Sequence, residues 1–205
     1  MCGRYYIADE DAAEELKQII DEVNRKYNGS GLNIKCAGDI FPTDVAPVIA
    51  GDYEKSRDVC VMRWGYSLSN GKVSFNARSE NAATSMYRHG LNNCRCLVPA
   101  TNYFEWRDGV QPKPLYDIRP ASGKMMYMAG VYRNEGKRRV FSILTRNAAN
   151  EIRFVHERMP IILPGDIAYD WLNVRYAAMD ILRHADLNMA AKPVGPEQLS
   201  MNMFF

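Results

Sequence analysis

Apolar positions recur at helical spacing near the start of this chain and at strand-like spacing over most of its remaining length. After a short run, Tyr5-Tyr6-Ile7, that suits a strand, Ala12, Leu16, Ile19, Ile20, Val23 and Tyr27 fall three and four residues apart. That spacing predicts an amphipathic helix, with Asp9 as its cap and Gly29 at its end. Residues 28–40 read as a loop, and 41–49 as an extended stretch punctuated by Pro42 and Pro47. Strands are predicted over 59–66, 73–75, 113–118, 125–132 and 138–144, with turns at Asn70-Gly71 and Ser122-Gly123. Residues 95–106 read as a strand, a break led by Pro99 and a second strand. Helices are predicted over 79–92, 166–172 and 176–185, with a short helical run between Asn147 and His156 that leads into an apolar strand at 161–163. Residues 189–205 read as an extended tail broken by prolines. The short, turn-separated strands imply mainly antiparallel pairing.

With 205 residues, 47% of them hydrophobic, the chain can bury a full core, and one domain over 1–205 is the natural count. No apolar run reaches the roughly 18 residues of a membrane span, and no charged segment followed by an apolar one opens the chain. The five cysteines, Cys2, Cys36, Cys60, Cys94 and Cys96, are an odd set without a CxxC pair, which points to a reducing cytoplasm. A net charge of +2 argues against a wholesale polyanion binder and leaves room for a local basic groove.

The candidate chemistry begins at Cys2. Removal of Met1 would leave one residue carrying both an α-amine and a thiol. An α-amine titrates at about 7.7–8.0 against about 10.4 for lysine, so part of it is a neutral nucleophile at pH 7. It can attack an aldehyde, and the thiol can then close a five-membered thiazolidine with the advantage of an intramolecular reaction. An N-terminal Cys can equally serve in amide hydrolysis, and Cys2 can simply be a small buried residue. Trp64 reads as a core residue or, beside a groove, as a stacking surface for a base. In Asn76-Ala77-Arg78, a carboxamide and a guanidinium two residues apart share a face of a strand, which suits a hydroxyl beside a phosphate. The same alternation sets Tyr103, Glu105 and Arg107 opposite Phe104 and Trp106, so Glu105 is either a surface charge or faces a pocket. His156 is structural or projects into a cleft from its junction. A zinc site at His89, Cys94 and Cys96 is rejected, because thiols one residue apart point to opposite faces of a strand.

Taken together, Cys2-Gly3-Arg4, Trp64-Gly65, Asn76-Ala77-Arg78-x-Glu80, Cys96-Leu97-Val98-Pro99-Ala100, Phe104-Glu105-Trp106, Lys113-Pro114, Ala129-Gly130-Val131-Tyr132, Ile143-Leu144-Thr145 and His156-x-Arg158-Met159-Pro160 resemble the SOS response-associated peptidase (SRAP) family. The motifs run in order from residue 2 to about 172. The resemblance implies an α+β fold of irregular, mostly antiparallel sheets forming a barrel-like core surrounded by helices. It implies an enzyme that covalently captures abasic sites in single-stranded DNA through a thiazolidine at Cys2, as a monomer and without a metal or cofactor. The word peptidase then refers to removal of the residue before Cys2, by the protein itself or by an aminopeptidase.

Position by position, the resemblance makes Cys2 the nucleophile and Asn76 the side chain that holds the opened deoxyribose. It makes Glu105 and His156 an acid/base pair, and Arg4 and Arg78 phosphate contacts, with Trp64 beside them. Asn102 stands where the family usually has Gly, and Asn is the next most tolerant residue of positive φ. Residues 84–93 match poorly, and Arg88 is the candidate basic residue there. Two other functions fit parts of the pattern: an amidohydrolase with a Cys nucleophile, and a non-covalent single-strand binder.

Overall fold

Two sheets carry the fold in the computed structural model, which describes residues 2–8, 13–51, 57–123, 125–185 and 187–195. In chain order the elements are β1 (Arg4–Ile7), α1 (Glu14–Tyr27), β2 (Gly38–Ile40), β3 (Val45–Gly51), β4 (Arg57–Trp64), β5 (Tyr66–Ser67), β6 (Val73–Ser74), β7 (Asn76–Arg78), α2 (Ser79–Ala82) and α3 (Arg88–Asn93). They continue with β8 (Arg95–Ala100), β9 (Asn102–Trp106), β10 (Leu115–Pro120), β11 (Met126–Glu135), β12 (Arg138–Asn147), β13 (Arg158–Pro160), β14 (Ile162–Leu163), α4 (Gly165–Leu172), α5 (Ala178–Arg183) and β15 (Met189–Pro193). Among the described residues no helix is long and apolar enough to cross a membrane.

Five strands close on themselves. β12 pairs with β4, β4 with β3, β3 with β8, β8 with β11, and β11 returns to β12, so the circuit has no open edge. Period-two alternation sorts the side chains of this barrel into two apolar clusters. Val48, Val98, Met128 and Ile143 join Tyr5, Ile7 and Tyr103 of the second sheet, while their chain neighbours Ile49, Leu97, Ala129 and Leu144 face Ile19 and Val23 of α1 and Trp171 of α4. The second sheet has the order β15-β10-β9-β1-β2 and is antiparallel throughout. Among the described strands only β12 pairs in parallel, with β4 and β7, and the isolated bridge from Ile34 to Val45 is parallel too. This is the barrel-like α+β arrangement that the resemblance implies.

Helix α4 is held to the barrel by specific contacts. The Trp171 indole donates to the carbonyls of Cys96 at 3.0 Å and Gly130 at 3.2 Å. Gly51 lets the end of α4 approach, since a Cβ there would sit 2.2 Å from the Leu172 carbonyl oxygen.

Several expected elements differ. Asp9 and Ala12 lie outside the described residues, as do 196–205; the described helix starts at Glu14. Residues 28–40 include β2 and an isolated bridge from Ile34 to Val45. The stretch from 41 becomes a strand only at Val45, after a turn in which Thr43 has φ 84°. The single helix expected over 79–92 is two, α2 and α3. Between them Thr84 Oγ1 bonds the Asn81 carbonyl and Ser85 Oγ bonds the Ala82 carbonyl, so side chains compete with the helical ladder where it would have to continue. No helix forms before His156 either. Ala148 N donates to Glu157 O at 2.8 Å, which brings the ends of the segment together and makes it a loop of turns.

Candidate functional site

β1 is an interior strand of the second sheet, with Tyr5 opposite Ile40 on one side and Tyr103 on the other. This pairing carries the chain start into the core, where Cys2 is fully buried and its Sγ lies 3.7 Å from the Arg4 carbonyl oxygen. Burial raises the Cys2 thiol far above its ordinary value, and the neighbouring Glu105 charge raises it further, so it is protonated at neutral pH. β7 delivers Asn76 from the other sheet, paired with Ile143 of β12. The Asn76 carboxamide Nδ2 donates to the Cys2 carbonyl at 2.7 Å. Its Oδ1, together with the hydroxyls of Tyr5 and Tyr103, is buried without a hydrogen-bond partner among the described residues. Burial and the adjacent Cys2 hold both phenols well above their ordinary value, so they stay protonated donors. Leaving such groups unmade costs about 1–3 kcal/mol each, which stability alone does not explain.

Glu105 is only 7% exposed and shares its face of β9 with Tyr103, which is 1% exposed, whereas Trp106 on the opposite face is 47% exposed. The alternation therefore turns Glu105 toward the interior rather than the surface. His156 reaches the exit of β9 by another route, since Asp108 N donates to Val155 O at 2.9 Å. Its Nδ1 accepts from Arg158 N at 2.8 Å and its Nε2 lies 3.4 Å from Asp108 Oδ2. With Nδ1 accepting from Arg158 N, a ring proton sits on Nε2.

The expected cations are placed differently from one another. Arg4 Nε is 2.7 Å from Asp39 Oδ1, and its guanidinium lies 4.1 Å from the centre of the Phe104 ring. Arg78 is exposed, two residues from Asn76. Arg88 is exposed at the start of α3, which packs on β8 and β11, and no described contact links it to Cys2, Asn76 or Glu105.

Trp64 requires a correction. It is fully buried, donates Nε1 to the Phe75 carbonyl at 2.9 Å and packs its ring 5.1 Å from that of Tyr5. No base can stack on a ring enclosed on both faces, so Trp64 supports β1 from within. The exposed aromatics among the described residues are Phe41, Trp106, Phe154 and Tyr176, and sequence reasoning did not single them out as stacking surfaces. For Trp106 the signal was present, because it is an aromatic on the outward face of an alternating strand.

Sequence reasoning gave no role to two carboxylates, Asp39 and the motif residue Glu80. Asp39, which holds Arg4, sits in a stretch without periodicity. Glu80 forms a forked ion pair with the buried Arg158, which also donates to Asn147 Oδ1 at 2.7 Å and Thr145 O at 2.9 Å. No group of three or more His, Cys, Asp or Glu suited to a metal gathers among the described residues.

The sequence profile described as SOS response associated peptidase (SRAP) matches residues 1–199. An abasic site processing protein of Saccharomyces cerevisiae is 33% identical over 85% of this chain, an alignment that spans 56% of the yeast protein. The abasic site processing protein YoaM of Bacillus subtilis is 26% identical, with 98% of this chain and 91% of YoaM covered. Among solved structures, a protein of Bacteroides thetaiotaomicron superposes with a TM-score of 0.76 at 23% identity over 97% of this chain and 94% of its own, a likeness of fold.

Proposed function

Because this chain belongs to the SOS response-associated peptidase family, we propose that it processes abasic sites by capturing them covalently on Cys2 in single-stranded DNA. The observation that carries the reading is the 2.7 Å bond from Asn76 to the Cys2 carbonyl, which fixes the chain start beside a buried carboxylate. A nucleophile whose amine and thiol must both meet one carbon needs such a clamp on its backbone.

The chemistry starts with removal of Met1, whose peptide bond otherwise makes the Cys2 nitrogen an amide. The freed amine attacks C1′ of the ring-opened sugar, and the carbinolamine loses water to give an imine. The Cys2 sulfur then bonds to that carbon as the C=N π pair moves to nitrogen. The thiol proton leaves sulfur and a proton joins nitrogen, so the thiazolidine is neutral and nothing is oxidised or reduced. Because the thiol is held protonated, it needs an acceptor for its proton at this step, and Glu105 is the carboxylate whose charge reaches it. Glu105 also serves as proton donor and acceptor during ring opening, and the Nε2–H of His156 serves the sugar oxygen. Asn76 Oδ1 and the phenols of Tyr5 and Tyr103 are the polar atoms left to hold the opened sugar. Arg78 and Arg4 meet the flanking phosphates.

Incubation with a single strand carrying one abasic site, resolved on a denaturing gel, tests the reading. A shifted band that survives heat without reductant supports it, and a gel with no covalent species contradicts it.

A further inference from the structure

The chain's net charge is +2, yet one open cleft of about 510 Å³ is lined by four cations, Arg63, Lys137, Arg138 and Arg139, against the single carboxylate Asp44. The positive surplus inside this cleft exceeds that of the whole chain. Asp44 is itself taken by Lys35 at 2.8 Å. Arg139 reaches Asp58 at 3.4 Å, and Lys137 and Arg138 have no ion pair among the described residues. Concave walls with a surplus of one sign focus the field, so the cleft attracts anions.

The cleft also connects to the capture site. Thr43 and Asp44, on its wall, belong to the turn that begins at the exposed Phe41. The Phe41 ring lies 5.8 Å from the Arg4 guanidinium and 5.5 Å from Lys35 Nζ, so cations run from Arg4 past Phe41 and Lys35 to the mouth of the cleft. Thr43 holds φ 84°, a conformation a β-branched residue adopts only when its surroundings impose it. Thr43 N donates to Trp64 O at 2.8 Å, and Phe41 N to Asp44 Oδ2 at 2.8 Å. These bonds hold the strained turn in place and keep Phe41 outside.

We propose that this cleft binds backbone phosphates of the nucleic-acid strand, several nucleotides away from the residue that reacts with Cys2. The inference rests on the abasic-site reading for the identity of the strand. It adds a second anchoring point that sets how much DNA flanking the lesion the protein needs. Phosphates are matched by guanidinium forks without base selectivity, so the site is indifferent to sequence.

The test compares Lys137→Glu/Arg138→Glu, at exposed positions of the β11–β12 hairpin, with Lys17→Glu/Arg183→Glu, an equal charge change at exposed positions of α1 and α5. Affinity for undamaged single strands, one long and one just spanning the Cys2 site, is measured by fluorescence anisotropy across a salt series. For the long strand the cleft variant should shallow the salt dependence by about 1.4, or about 0.7 for each lost phosphate contact. The short strand, and the control variant on either strand, should match wild type. The proposal is overturned if the control weakens binding as much, if the short strand loses as much as the long one, or if the cleft variant binds like wild type. Since no arm uses covalent chemistry, a wild type that fails to capture abasic DNA would sink the capture reading and leave this comparison intact.

Discussion

Arg158 grips both carboxylate oxygens of Glu80 from 78 positions further along the chain, with Nη2 2.9 Å from Oε2. The pair locks α2, which follows directly on the strand that carries Asn76, to β13, which follows the turn that carries His156. It therefore sets the spacing between two groups proposed to act on one sugar.

Glu80→Ala should destabilise the protein by about 1–2 kcal/mol, less than a fully buried pair because the Glu80 side chain is 49% exposed. At this chain length that is about 2–4 °C in Tm for each kcal/mol. Arg158 holds the Glu80 carboxyl below its ordinary value of 4.5. A carboxyl whose folded value is depressed contributes stability that is complete above its ordinary value and lost as pH falls through the folded one. Thermal melts should show wild type losing its advantage over Glu80→Gln below about pH 4.5, and a constant gap across acid pH would contradict the role.

Asn76→Ala should leave the fold intact and slow capture by about a hundredfold, the scale of a small misplacement of reacting groups. Asn76→Asp should be slower still, because a carboxylate would face the Cys2 carbonyl oxygen instead of donating to it. Single-turnover rates at saturating DNA read both, and an Asp variant as fast as Ala would show that the carboxamide does not orient Cys2.

Trp64→Phe should lower stability by about 1–3 kcal/mol, since the core loses part of the indole and the Phe75 carbonyl keeps only its bond from Ile143 N. DNA affinity and its salt dependence should not change at temperatures where the variant is folded. A loss of affinity without a loss of stability would return Trp64 to the binding surface.

How far these features could be read from the chain depended on whether they were local. Period-two alternation placed Tyr103 and Glu105 on one face, and the structure only had to show which face is inside. The end of α1 near Gly29 was likewise local, as Gly29 takes φ 73° just after the helix. Trp64 was ambiguous because a buried indole and a stacking indole have the same sequence signature. The grip of Arg158 on Glu80 and of Arg4 on Asp39 was invisible, since each joins segments that only the pairing of strands brings together. The break between α2 and α3 was legible in principle from Thr84 and Ser85, whose hydroxyls compete for helix carbonyls, but an apolar pattern carries no record of them.

Glu105→Gln keeps the volume of the side chain and removes its capacity to take or give a proton. Adduct formation should slow by about 10²–10⁴-fold, the usual effect of losing a general acid/base, without a matching loss of DNA affinity. Hydrolysis of a preformed adduct should slow in parallel, because ring opening retraces the same proton transfers.

The most direct test of capture at Cys2 is the intact mass of the protein after incubation with an abasic single strand, for wild type and for Cys2→Ala, with and without borohydride. Wild type should lack Met1 and carry the oligonucleotide in a heat-stable form without reductant. Cys2→Ala keeps an α-amine once Met1 is gone, so it should be trapped only when borohydride reduces the imine. A heat-stable adduct on Cys2→Ala without reductant, or full-rate capture by a protein that retains Met1, would contradict the account.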